Sequence, residues 1–302
     1  MPQTLSEIRS ELAARGLRPK HALGQNFLHD QNQLRRLVAA AALEPGALVL
    51  EVGPGTGTLT ETLLDAGCEV IACELDRDMA AIVRARNADR AENMPGMPGI
   101  FSGGAAAAAA ALPRRPGRLH LIEADCLAHK HALAPALLQA LAGRPFTLVA
   151  NLPYQAATPL MATLLERHPE CRGQFVTIQR EVADRLHARA GTDAYGPISV
   201  TMALLARVEQ IAVLPPGCFW PAPKVTSAMV AVHPRPASER PFDPWDPFSS
   251  FVQRTFSQRR KQLGTILGRE AVAAAGIDPT RRPETLTPEE WVHLARAVAL
   301  KA

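Results

Sequence analysis

"LVLEVGPGTGTLTETLLDAG", Leu48 to Gly67, decides how this chain folds. Its first residues form a short continuous apolar run, the mark of a strand buried on both faces. Gly53, Gly55 and Gly57 follow at alternate positions, then a stretch with helical periodicity from Thr58 to Ala66. Strand, glycine loop and helix in that order open a nucleotide-binding α/β fold. A dinucleotide fingerprint, G-x-G-x-x-G, would place its third glycine at position 58, where Thr58 stands. The loop therefore suits a different nucleotide-like ligand, and an NAD-dependent oxidoreductase is disfavoured.

Outward from this segment, short apolar runs alternate with helical patterns through the first two thirds of the chain, the signature of a parallel α/β sheet. Further strands are expected at Glu69–Glu74, Leu119–Glu123, Phe146–Ala150, Gln174–Gln179, Val208–Leu214 and Ala228–Val232. Helices are expected at Ser6–Arg15, Asn32–Leu43, Arg77–Arg86, Thr158–Glu166 and Glu181–Ala188. Residues 93–117, "NMPGMPGIFSGGAAAAAAALPRRPG", cannot fill a core and read as a mobile surface insertion. The proline-rich "HPRPASERPFDPWDP" (His233–Pro247) reads as a linker. The expected organisation is a sheet domain over residues 1–235 and a small all-α domain over residues 236–302.

Composition narrows the function classes. With 47% hydrophobic and 21% charged residues the chain is that of a globular protein. No apolar run is long enough to cross a bilayer, and the N-terminus lacks a signal peptide's apolar core. The five cysteines contain no C-x-x-C pair, which argues against a zinc site or disulfide framework and for a reducing cytoplasm. A net charge of +4 permits a polyanionic partner.

Two carboxylates and one loop carry the chemistry. Glu74 ends the second strand at the distance where an acid reaches ribose hydroxyls in such folds. Strand, G-x-G-x-G, helix, strand and acid together resemble the S-adenosylmethionine (AdoMet) site of class I methyltransferases. Glu51, just before the loop, suits either the loop backbone or a ligand ammonium. Asp125 in "EADCL" is placed to accept a hydrogen bond from an adenine amino group, or to serve as a turn residue. "NLPY", Asn151 to Tyr154, ends the fourth strand on the same rim. An exocyclic amine such as adenine N6 is a poor nucleophile because its lone pair is delocalised into the ring. The Asn151 side-chain oxygen and the Leu152 carbonyl are two acceptors able to hold its N–H groups and free that lone pair. Pro153 stiffens the loop, and Tyr154 offers a face on which a base stacks.

At this point the chain closely resembles the KsgA/RsmA ribosomal RNA adenine N6,N6-dimethyltransferases. The resemblance rests on "LGQNFLHD", "LEVGPGTGTLT", "ACELDRDM", "EADCL", "NLPYQAATPLM", "QREVADRL", "AYGPISV", "FWPAPKVTSAMV" and "QRRKQL", in that order along nearly the whole chain. It implies a Rossmann-like class I methyltransferase sheet with a helical C-terminal domain. Asn26, Leu28, Gly53, Gly55, Glu74, Asp125 and Asn151 would bind AdoMet, and no metal is implied. Phe219 would flank the target adenine opposite Tyr154, although by itself it reads as core. The implied substrate is a pair of adjacent adenosines in the 3′-terminal hairpin of small-subunit (16S) rRNA, methylated late in assembly by a cytoplasmic monomer. An Erm-type enzyme acting on large-subunit rRNA and a non-catalytic RNA-binding factor are the alternatives. Two departures stand out: the long insertion, and Ala222 in place of one proline of the common P-P-P-K segment. Arg254, Arg259, Arg260 and Lys261, with Arg269 close by, are candidates for RNA contact. Arg15, Arg18 and Lys20 form a second basic group; Arg114, Arg115 and Arg118 have no assigned role.

Overall fold

The computed structural model describes residues 3–90, 117–129 and 132–298. The insertion expected at 93–117 therefore lies, apart from Gly117, outside the described residues, as do Arg114 and Arg115.

The main sheet has seven strands: β1 (Leu48–Val52), β2 (Glu69–Glu74), β3 (Arg118–Glu123), β4 (Phe146–Asn151), β5 (Cys171–Gln179), β6 (Ala206–Leu214) and β7 (Ser227–Pro234). Their spatial order is β3-β2-β1-β4-β5-β7-β6. The ladders β2–β3, β1–β2, β1–β4 and β4–β5 are parallel. β7 runs antiparallel to β5, with Ser227 opposite Gln179 and Val232 opposite Gln174. The five strands of the first two thirds of the chain are thus parallel, as expected there, and β7, which comes later in the chain, makes the sheet mixed. Residues 227–232 of β7 are buried at every position, so its apolar pattern reads the same in either direction.

Helices connect the strands. They are α1 (Leu5–Ala14), α2 (Gln31–Ala40), α3 (Thr58–Asp65), α4 (Arg77–Arg86), α5 (Pro135–Leu141), α6 (Tyr154–Arg167), α7 (Arg180–His187) and α8 (Pro197–Leu205). Their starts follow local chemistry. Thr4 and Glu7 form a reciprocal capping box on α1, while the Asp30 and Asp76 carboxylates accept from first-turn N–H groups of α2 and α4. α6 begins four residues earlier than expected, at Tyr154, and carries Pro159 internally. Thr158-Pro159 looks like a cap followed by a first-turn proline. The helix instead starts directly after Pro153 and forgoes one backbone bond at Pro159.

The chain divides into two compact units, but not at a single point. One comprises Met1–Leu164, Glu170–Arg180 and Glu209–Val232; the other comprises Leu165–Pro169, Glu181–Val208 and His233–Ala302. The linear division at residue 235 thus gives way to one in which α8, most of α7 and the end of α6 belong with the C-terminal helices.

In the first unit, Val49, Leu63, Val70, Leu119, Val149 and Met229 belong to one buried core. Ile8 and Leu12 of α1 pack with Phe27, Met79 and Ile82 in a second cluster. The second unit adds α9 (Asp246–Phe256), α10 (Leu263–Leu267), α11 (Arg269–Ala274) and α12 (Pro288–Val298). Trp291 is fully buried there, stacked on Phe256 at 5.2 Å between centroids and edge-on to Phe251 at 6.0 Å. Glu166, also buried, accepts hydrogen bonds from Thr201 (3.3 Å) and Ser249 (3.1 Å). Leu50 is fully buried in the central strand β1. Leu50→Ala is expected to lower stability by about 2–5 kcal/mol in urea denaturation, the cost of a core cavity.

Candidate active site

The strand order reverses between β1 and β4, and in open α/β sheets ligands bind in the crevice that such a reversal leaves at the strands' carboxyl ends. The glycine loop leaves β1 there and the Asn151–Tyr154 rim leaves β4. A cavity of about 430 Å³ opens at this place, within the size range of small-molecule sites. Asn26, Leu28, Gly53, Gly55, Glu74, Asp125, Asn151, Leu152, Pro153, Tyr154 and Phe219 all line it. Every cofactor and base-contact residue expected from the sequence therefore meets in one place.

The glycine loop is held from two sides. Gly53 and Gly55 have φ of +70° and +58°, backbone that a side chain rarely adopts. A Cβ on Gly53 would stand 2.9 Å from Pro153, and one on Gly55 would stand 2.8 Å from the Phe27 ring. The loop is thus pressed against the rim after β4 and against the N-terminal segment. Glu74 ties it down: one carboxylate oxygen accepts from Gly55 N–H at 3.0 Å, the other from Asp76 N–H at 2.9 Å. Burial pushes the Glu74 carboxyl above its ordinary range, and those backbone N–H groups oppose the push.

Glu51 lies deeper, only 1% exposed, with one oxygen accepting from the Thr60 hydroxyl at 2.7 Å. Burial raises its pKa to about 8, against the Thr60 hydrogen bond and with a smaller push from the Glu74 charge. Asp125 is exposed and accepts from Leu127 N–H at 3.0 Å, so the turn role is fulfilled at a position that also faces the cavity.

At the rim, the Asn151 side-chain amide donates to the Asn26 carbonyl at 3.0 Å. That bond commits the nitrogen and leaves the side-chain oxygen as the acceptor. Asn26 in turn donates to the Gly24 carbonyl at 3.1 Å. Tyr154 is half-buried; burial raises its pKa, opposed by the Ser227 hydroxyl. Phe219 is only 3% exposed and belongs to the core, while an edge of it lines the cavity. Phe219 is thus at once a core residue and part of the cavity wall. Phe219 and Trp220 pair with Leu28 and Phe27 in a short antiparallel ladder that carries the N-terminal segment to the site.

Several residues of the site carry no mark in the sequence. Lys20 bridges Asp76 and Asp78 at 2.8 Å each, and Gln25 donates to Asp76 at 2.7 Å. By sequence Lys20 groups with the candidate RNA contacts; in the fold it is an ion-pair partner that seals the N-terminal segment to the turn after β2. Those hydrogen bonds raise its pKa to about 12. Burial opposes ionisation of Asp76, but Lys20 and Gln25 outweigh it and hold that carboxyl below its usual range. Gln3, 1% exposed, donates to the Thr56 carbonyl of the glycine loop at 2.6 Å. A lone glutamine or lysine near a chain end carries no sequence signal for such long-range bonds.

The lining has a consistent sign. Glu51, Glu74 and Asp125 face the cavity, and among the described residues that line it there is no lysine or arginine; His129 is the one basic side chain, and it is exposed. Such a wall favours a cationic ligand and disfavours a pyrophosphate. AdoMet, with its sulfonium and ammonium, fits that charge. In the second unit, Arg254 lies on α9 and Arg259, Arg260 and Lys261 in the turn that follows it, all exposed. α9 thus ends before the basic run of "QRRKQL" begins.

Comparison with known proteins agrees with the geometry. The family model "Ribosomal RNA adenine dimethylase" matches residues 16–94 and 106–299, and the gap falls inside the insertion. The Ribosomal RNA small subunit methyltransferase A of Bifidobacterium longum (strain DJO10A) is 36% identical over 97% of this chain and 92% of its own. That of Nocardia farcinica is 38% identical, covering 96% and 93%. A dimethyladenosine transferase from Plasmodium falciparum superposes with a TM-score of 0.68 at 21% identity, covering 89% of this chain and 96% of its own. The 23S rRNA methyltransferase ErmE superposes with a TM-score of 0.55 at 22% identity, covering 91% and 100%. At such identities these two structures speak for the fold, a class I methyltransferase. With the family model spanning most of the chain and full-length relatives above one third identity, this protein belongs to the ribosomal RNA adenine dimethylase family.

Proposed function

We propose that this protein methylates N6 of two adjacent adenosines in the 3′-terminal hairpin of small-subunit (16S) rRNA, twice each, during late assembly of that subunit. The observation that carries the reading is the single cavity joining the glycine loop, Glu74 and Asp125 to the Asn151–Tyr154 rim. The full-length relatives bear the small-subunit name, which favours this substrate over the large-subunit RNA of ErmE.

When bound, AdoMet supplies an electrophilic methyl group on a positively charged sulfur. The chain supplies position. Glu74 is assigned to the ribose and Asp125 to the cofactor adenine; Gly53 and Gly55 allow the backbone to come close. Asn151 presents its side-chain oxygen to one N–H of the target amine, since its nitrogen is occupied by the Asn26 carbonyl. The Leu152 carbonyl takes the second N–H. Two acceptors so placed favour a pyramidal nitrogen whose lone pair points along the line of transfer. Both acceptors are neutral, and no base is needed before attack. Once the nitrogen carries its fourth bond it becomes acidic, and its proton passes to water. Tyr154 and Phe219 hold the extruded base between them. Extrusion costs about a few kcal/mol, less where hairpin bases are already unstacked. Arg254, Arg259, Arg260 and Lys261 are assigned to the RNA backbone.

Purified protein with AdoMet and small-subunit precursor particles is expected to yield N6,N6-dimethyladenosine, detected by mass spectrometry of the digested rRNA. Particles that are bound but never methylated would defeat the reading. Asn151→Ala is expected to lower kcat by about 10²–10³-fold, the usual loss for a positioned polar group at a reacting centre, while particle binding persists. Gly55→Ala, which drives a methyl group into Phe27 and strains φ, is expected to weaken AdoMet binding by about tenfold or more in calorimetry. Replacing Arg259, Arg260 and Lys261 together by alanine is expected to flatten the salt dependence of RNA binding by about one log–log unit for each phosphate left without a cation, with AdoMet affinity unchanged.

A further inference from the structure

Glu51 is a buried carboxyl that the transfer described above does not use. It sits at the end of β1, 1% exposed, and borders the cofactor cavity. The Thr60 hydroxyl donates to one of its oxygens. The titratable groups that share the cavity with it include no lysine or arginine. From β2 come Glu74, whose charge opposes ionisation of Glu51, and Cys73, whose thiol burial keeps protonated. From the segment after β3 come Asp125, the exposed His129 and Cys126, the last with a pKa pushed up to about 12. α3 donates the Thr60 hydroxyl, and the rim after β4 offers Tyr154, whose phenol burial keeps neutral. A buried carboxylate without a cation is costly, so such a group takes up a proton until a cation arrives.

The two forms of the cofactor differ in this respect. AdoMet carries a net charge of +1 at neutral pH: a carboxylate, an ammonium and a sulfonium. Its demethylated product, S-adenosylhomocysteine, keeps the first two and is neutral overall. We propose that Glu51 is the charge-matching group of the cofactor cavity, ionised when the cationic methyl donor is bound and protonated when the cavity is empty or holds the demethylated product. Glu51 then acts as a specificity determinant: it releases a proton to solvent as AdoMet binds, and takes one up again after transfer has discharged the sulfonium and AdoMet has become product. The inference rests on the reading of the cavity as an AdoMet site. It adds to that reading a means of favouring substrate over product, whose shapes differ by one methyl group.

Isothermal titration calorimetry in two buffers of different ionisation enthalpy counts the protons. With the free-state pKa near 8, wild-type protein at pH 7 is expected to release about 0.9 proton per AdoMet and close to none per S-adenosylhomocysteine. By linkage, AdoMet affinity rises by up to about tenfold per pH unit from pH 6 to 8 and levels off above, while product affinity stays nearly flat. Glu51→Gln is expected to abolish the proton release and the slope, and to narrow the preference for AdoMet over product by about tenfold. Thr60→Val keeps Glu51 but removes the bond that favours its ionised form, so the levelling-off is expected to move to higher pH. That second variant also guards against misfolding of the first. Wild-type protein that binds AdoMet without releasing protons overturns the assignment and leaves the cofactor reading intact, as does undiminished release from Glu51→Gln. Failure to bind AdoMet at all overturns both.

Discussion

Among the parallel strands of this sheet the order reverses once, between β1 and β4, and the function of the chain hangs on that reversal. A crevice opens where the strand order turns, at the carboxyl ends of the two strands. The two segments that enter it are the ones whose backbones can approach each other: Gly53 lies within contact of Pro153 with no room for a Cβ between them. The glycine loop and the Asn151–Tyr154 rim are therefore held against each other by packing. Transfer between two bound molecules needs this above all, since positioning supplies much of the rate when no acid or base is required.

Electrostatics complete the site in an unusual direction. Nucleotide sites often use basic side chains and helix N-termini against phosphate. Here the wall is acidic, and the nearby lysine, Lys20, is spent on Asp76 and Asp78 at its margin. Glu74 is kept in place by backbone N–H donors, whereas Glu51 has one hydroxyl donor. Two carboxyls in one cavity thus meet different environments. The first serves the loop's architecture and the second is free to respond to a ligand's charge. A cationic sulfonium is the natural complement of such a wall, and its loss on transfer is the natural signal for exchange.

The N-terminal segment ties these features together. Gln3 holds the Thr56 carbonyl, Phe27 fills the space beside Gly55, and the Asn26 carbonyl orients the amide of Asn151. Residues that precede the sheet in the chain thus decide the orientation of the Asn151 side chain at the cavity rim. Loss of α1 packing on Met79 and Ile82 would reach the chemistry by this route.

Local patterns alone determined much of this protein. Short apolar runs placed the strands of the sheet, because a strand buried on both faces must be continuously apolar; β6, exposed at Arg207, Glu209 and Gln210, departs from that pattern. Alternate glycines before Thr58 marked the loop, because only glycine tolerates its positive φ beside close neighbours. Motif resemblance supplied Asn26 and Phe219, which would otherwise have read as loop and core. Tertiary structure decided what depends on partners distant in the chain. The antiparallel insertion of β7, the early start of α6, the division of the second unit among three separate segments and the ion pairs of Lys20 carry no local mark. The protonation of Glu51 belongs with them: a glutamate at the end of a strand is ordinary in sequence, and only burial without a cation changes its charge.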